Sequence, residues 1–124
     1  MSKTIATENA PAAIGPYVQG VDLGNMIITS GQIPVNPATG EIPEGIEAQA
    51  EQVMENVKNL LESAGTSMAN VIKTTVFIKD MGEFTKINEI YARYFEGDCP
   101  ARSCVEVARL PKDVLMEMEA IALK

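Results

Sequence analysis

Histidine is absent from all 124 residues. That absence removes Ser-His-Asp and Cys-His nucleophile systems, zinc signatures that need histidine, and imidazole acid–base chemistry. Catalysis here must rest on carboxylates, arginine, backbone amides, hydroxyls or thiols. Cysteine is scarce: Cys99 and Cys104 lie five positions apart with Pro100 between them, and fit no zinc spacing. Both read as reduced thiols in a cytoplasmic chain. No apolar run approaches the roughly 18 residues of a membrane span. Met1 to Gln19 carries one lysine and no continuous apolar core, so no secretory leader is expected and the cytoplasm is the expected compartment. Positive charge is in deficit, with 10 basic against 17 acidic residues and the basic ones scattered from Lys3 to Lys124. Without a basic stripe to neutralise phosphates, neither a nucleic acid nor a membrane is an expected partner. Gly15, Gly20, Gly24 and Gly31 match neither the dinucleotide-binding nor the P-loop glycine spacing.

What remains is an ordinary globular composition, 46% hydrophobic and 22% charged, the size of one domain spanning 1–124. Lys3 to Ile33 reads as short strands separated by turns, with strands at Tyr17–Val21 and Met26–Ser30 around the hairpin residues Asp22-Leu23-Gly24-Asn25. Three prolines and two glycines mark Pro34 to Gly45 as a loop. From Ile46 to Ala64 the apolar positions Ile46, Ala50, Val53, Met54, Val57, Leu60, Leu61 and Ala64 follow the 3.6-residue repeat of a helix, and Gly65 is placed to cap it. The β-branched run Val71–Ile78 predicts a central strand buried on both faces. A second helix is predicted over Gly82–Phe95, with Asp80 as its N-cap, and strands over Ala101–Ala108 and Val114–Leu123. The order ββ-α-β-α-ββ specifies an α+β domain with two helices on one face of a mixed sheet. Two helices cannot cover both faces, so the other must meet solvent or another chain.

Strand alternation puts Arg102, Cys104 and Glu106 on one face of Ala101–Ala108 and Ser103, Val105 and Val107 on the other. The valine face is the expected core side. A hairpin turning at Leu110-Pro111 sets Glu117 across from Cys104, conditional on register. A guanidinium beside a carboxylate could grip a substrate carboxylate and hold a water, or form a plain cross-strand ion pair. Cys104 reads as a small structural thiol rather than a nucleophile, and Ser30 as a hydroxyl that satisfies backbone groups rather than attacks a substrate. Tyr17 serves as strand aromatic or pocket wall, and Asn88 as a satisfied polar residue or a ligand.

Four strings add what spacing cannot. Ala13-Ile14-Gly15-Pro16-Tyr17-Val18-Gln19-Gly20, Thr29-Ser30-Gly31-Gln32-Ile33-Pro34, Lys73-Thr74-Thr75-Val76-Phe77 and the long run Pro100 to Asp113 resemble, in order, segments of the RidA/YjgF family. The resemblance implies a chorismate-mutase-like fold in a homotrimer with a central barrel and active sites between subunits. It implies hydrolysis of 2-iminobutanoate and 2-iminopropanoate to 2-oxo acids and ammonia, protecting pyridoxal-phosphate enzymes, with no cofactor or metal of its own. Carried over by motif, Arg102 grips the substrate carboxylate, Glu117 orients the water, and the Cys104 backbone N–H completes the anchor. Tyr17, Ser30, Gly31 and Asn88 line the cleft. The stretch before Pro100, Tyr94-Phe95-Glu96-Gly97-Asp98-Cys99, is a few residues shorter than the family's usual loop. Alternative functions carried by the resemblance are an endoribonuclease or translation inhibitor, and a non-catalytic binding or holdase trimer.

Overall fold

A computed structural model describes residues 3–124. Helix α1 spans Ile46–Ser63 and buries Ile46, Ala50, Val53, Met54, Val57, Leu60 and Leu61 on the face that the periodicity predicts. It ends as predicted: Gly65 has φ of 89°, while the Gly65 N–H donates to Glu62 O and the Thr66 N–H to Leu61 O. These two bonds satisfy carbonyls that the last turn would otherwise leave without partners.

Six strands form one sheet: β1 (Lys3–Ile5), β2 (Gly20–Asp22), β3 (Met26–Thr29), β4 (Val71–Ile78), β5 (Ala101–Glu106) and β6 (Met116–Leu123). Helix α2, Phe84–Ala92, lies between β4 and β5 in sequence and is shorter than expected. A separate 3₁₀ turn at Met81–Glu83 precedes it, and Asp80 caps that turn by accepting from the Gly82 N–H. β1 adds one strand to the expected order. The β2–β3 hairpin turns through Asp22–Asn25 as predicted, with Gly24 at φ 95°.

Spatially the strands run β1-β2-β3-β6-β4-β5. This overturns the expected hairpin of the last two strands, because β4 lies between them. β4 pairs antiparallel with β6 on one edge and parallel with β5 on the other. The cause is α2: a helix following β4 returns the chain parallel to it, which seats β5 at the sheet edge. β6 then takes the remaining edge of β4 and joins it to β3.

Both helices cover the same sheet face, α1 packing against β3, β6 and α2. Along β4 only Val71, Thr74, Val76 and Ile78 are buried, while Lys73, Thr75 and Phe77 are partly open. The expectation of burial on both faces is therefore not met within the chain. Among the described residues, no helix is long and apolar enough to cross a membrane.

Candidate active site

The register of the sheet decides where the chemistry sits. Thr74 pairs with Arg102 on one side of β4, and Phe77 pairs with Glu117 on the other. Residues 74 and 77 of a strand point to opposite faces. Arg102 therefore lies on the helix side and Glu117 on the open side, roughly 10 Å apart along the strands before the two intervening strand spacings are counted. The expected face assignment is reversed for β5, where Val105 is 43% exposed and Arg102 packs on α2. Edge position is the reason, since an edge strand need not bury its valines and an arginine stem covers apolar surface well.

Arg102 is held from several directions. Its Cζ lies 4.8 Å from the ring centroid of Tyr91 and 5.3 Å from that of Phe84, and its Nη1 donates to Asn88 Oδ1 at 2.8 Å. Cys104 follows two positions along β5 as a free, half-buried thiol. Burial pushes its pKa up, and the nearby Arg102 charge offsets only part of that, so the group favours the thiol over a nucleophilic thiolate.

The second cluster surrounds Glu117. Ser30, Gly31, Tyr17, Ile14, Ile33, Pro111, Lys112 and Glu119 share with it a cavity of about 410 Å³. The Gln32–Met118 bridge brings the Ser30-Gly31 turn against β6, and a Cβ on Gly31 would come within 2.8 Å of Glu117 Cδ. Glycine is what permits this approach. The Ser30 hydroxyl donates to Val18 O at 2.5 Å, which commits it to the backbone. Burial, followed by repulsion from Glu119, raises the Glu117 pKa above the ordinary carboxylate value. A half-buried carboxylate with a raised pKa is suited to hold and deprotonate a water.

Buried polar residues of α1 brace the neighbouring chain, including Ile33 in the cavity lining. Asn56 donates to Ile33 O and Val35 O at 3.0 and 2.9 Å, and Gln49 Oε1 accepts from the Leu115 N–H at 2.8 Å. The seven expected site residues thus fall into two groups: Arg102, Asn88 and Cys104 on one face, and Glu117, Tyr17, Ser30 and Gly31 on the other. Phe84 and Tyr91, which face Arg102, are not among the candidate residues of the sequence analysis. Their spacing with Asn88, at 84, 88 and 91, would have marked one helix face carrying two aromatics and an amide toward the arginine strand. No group of three or more potential metal ligands occurs among the described residues.

The family profile described as Endoribonuclease L-PSP matches residues 7–124. The 2-iminobutanoate/2-iminopropanoate deaminase of Escherichia coli strain K12 is 65% identical over 127 residues, covering 100% of this chain and 99% of the relative. The chain belongs to the RidA/YjgF family. Solved RidA/YjgF structures superpose on it closely: the YjgF gene product of Escherichia coli at 62% identity has a TM-score of 0.94 and covers 98% of both chains. Escherichia coli TdcF, determined with bound serine, is 56% identical with a TM-score of 0.95, again over 98% of both chains. The alignment of 127 positions against 124 residues shows that the deaminase relative carries positions with no counterpart here.

Proposed function

We propose that this protein hydrolyses small 2-imino acids, 2-iminobutanoate and 2-iminopropanoate, to the corresponding 2-oxo acids and ammonia. The observation that carries the reading is a pair of complementary half-sites in a chain 65% identical to a deaminase of those two compounds. One half offers a guanidinium, the other a carboxylate of raised pKa in a cavity. Serine bound to the TdcF relative supports a site for small molecules with a carboxylate and a nitrogen at the adjacent carbon.

Arg102 grips the substrate carboxylate through its planar fork, with the Cys104 N–H beside it. Glu117 takes a proton from water as the water oxygen bonds to the imine carbon, and returns that proton to nitrogen. The same carboxylate moves a second proton from the new hydroxyl to nitrogen as the C–N bond breaks. Ammonia leaves and the 2-oxo acid remains. The imine carbon is already electrophilic, so positioning and a held water suffice.

One chain cannot bring Arg102 and Glu117 onto one substrate, because its own sheet separates them. Two chains can, with the Arg102 half of one meeting the Glu117 half of the next, and a homotrimer closes such a head-to-tail contact. The open sheet face, with Ile28 at 41% and Val105 at 43% exposure, supports this assembly. The test is to generate 2-iminobutanoate with a threonine dehydratase and follow its disappearance with and without this protein. Unchanged decay of the imine would sink the reading. The endoribonuclease alternative has less support, since neither half-site offers a basic groove for phosphates.

A further inference from the structure

The Arg102 surroundings contain more machinery than a carboxylate anchor by itself requires. Arg102 lies in a notch between Phe84 and Tyr91, two turns apart on α2, with Asn88 between them. Tyr91 is itself fixed: its hydroxyl is 2.8 Å from Thr74 Oγ1, and its ring stacks at 4.8 Å on Phe95 with a 47° tilt. Thr74 is fully buried, Tyr91 is 5% exposed, and Thr74 is the strand partner of Arg102. A valine and a phenylalanine would fill the same volume without two polar atoms to satisfy. What the buried hydroxyl pair adds is a fixed ring orientation directly beside the arginine strand. Among the described residues, Arg102 Nε and Nη2 have no partner while Nη1 is taken by Asn88.

We infer that Tyr91, locked by Thr74 and assisted by Phe84, is a positioning residue that holds the Arg102 guanidinium plane so that its Nε–Nη2 edge receives a single planar carboxylate. The inference rests on the reading of Arg102 as the substrate's carboxylate anchor. A long arginine on an edge strand has many rotamers open to it, and binding a ligand normally costs their loss. A clamp that removes those rotamers beforehand tightens binding of substrate and transition state alike. Its loss must then fall on KM and on product affinity, with kcat little changed.

The experiment titrates 2-oxobutanoate calorimetrically into the full-length protein and measures steady-state deamination in parallel. Tyr91→Leu removes the ring, and Phe84→Leu removes the partly exposed second ring at less risk to folding. In each, Kd for 2-oxobutanoate and KM should rise together, by about 10-fold for Tyr91→Leu, while kcat moves less than about twofold. Tyr91→Phe keeps the ring but orphans the Thr74 hydroxyl, and the double variant Thr74→Val/Tyr91→Phe removes the orphan. Binding in the double variant should stay weaker than in wild type although no hydroxyl is orphaned, because the ring then lacks the hydroxyl pair that fixes its orientation. Variants that lose thermal stability yet bind 2-oxobutanoate within twofold of wild type would reduce Tyr91 to a core residue and overturn the inference. A wild type that neither binds 2-oxobutanoate nor consumes the imine would overturn the anchor itself, and the clamp with it.

Discussion

At the scale of single residues, Glu117 carries the sharpest expectations. Glutamine is nearly isosteric and hydrogen-bonds, but its amide takes up no proton at neutral pH. Glu117→Gln should lower turnover of 2-iminobutanoate by about 100-fold or more, with 2-oxobutanoate binding retained. Because burial raises the Glu117 pKa, ionised Glu117 costs folding free energy at neutral pH, and the same variant should unfold no more easily than wild type in urea. A drop in stability at pH 7 would contradict that sign. In the proposed mechanism the active form is the ionised base, so activity should hold above the Glu117 pKa and fade as pH falls through it. Glu119 is the second cause of the raised pKa, after burial. Glu119→Gln should therefore move the acid limb of the kcat profile to lower pH, and only part of the way, since burial remains. An unmoved limb would remove Glu119 from the electrostatics of the cavity.

Elements matter here for what they brace. The Glu117 cavity has one wall in the loop after Gly31, and that loop hangs on Asn56 of α1 through Ile33 O and Val35 O. Asn56 is fully buried, so Asn56→Ala leaves two carbonyls short of donors and a void in the core. A loss of about 1–3 kcal/mol is expected from equilibrium unfolding, with turnover falling more than stability does at temperatures where the variant is folded. Gly31→Ala tests the same wall from the other side. Its methyl group meets the Glu117 carboxylate, which must turn aside or leave the cavity. Activity should drop at least 10-fold with the fold retained, because the base is displaced by more than the hydrogen-bond tolerance of the reaction. Near-normal turnover in Gly31→Ala would show that the close approach of strand and turn has no part in catalysis.

For the whole molecule, the proposed mechanism requires a second chain, because Arg102 and Glu117 lie on opposite faces of one sheet. Purified protein should sediment at about three times the 13.4 kDa of one chain. A stronger test mixes two defective chains. Arg102→Lys keeps the charge but loses the fork, and Glu117→Gln loses the base, so each alone should be nearly inactive. Co-refolded at equal amounts, they should regain up to about a quarter of wild-type activity, the share of interfaces that pair an intact Arg102 with an intact Glu117 in a ring. A site contained in one chain would regain nothing. Recovery at that level would show that the site is shared between chains, and a sedimenting mass of three chains, not two, would mark the contact as head-to-tail.

Several features were readable from residue order alone because their causes are local. The span of α1 and its Gly65 end follow from apolar periodicity and from a backbone angle that glycine adopts cheaply. The β2–β3 turn follows from Asp22-Leu23-Gly24-Asn25, and the absence of histidine excluded whole classes of chemistry before any folding was considered. Family membership was legible in the run Pro100 to Asp113. The neighbours of β4 were not legible, because strand pairing is a contact between segments far apart in sequence, and nothing in Ala101–Glu106 or Met116–Leu123 states that a third strand intervenes. The face of Arg102 was hidden for a related reason. Alternation tells which residues share a face but not which face is covered, and α2 settles that by offering Phe84 and Tyr91 to a guanidinium instead of offering a cavity to valines. Local physics thus set the elements, while the long-range packing of α2 on β4 and β5 set which side of the sheet each charged group would occupy.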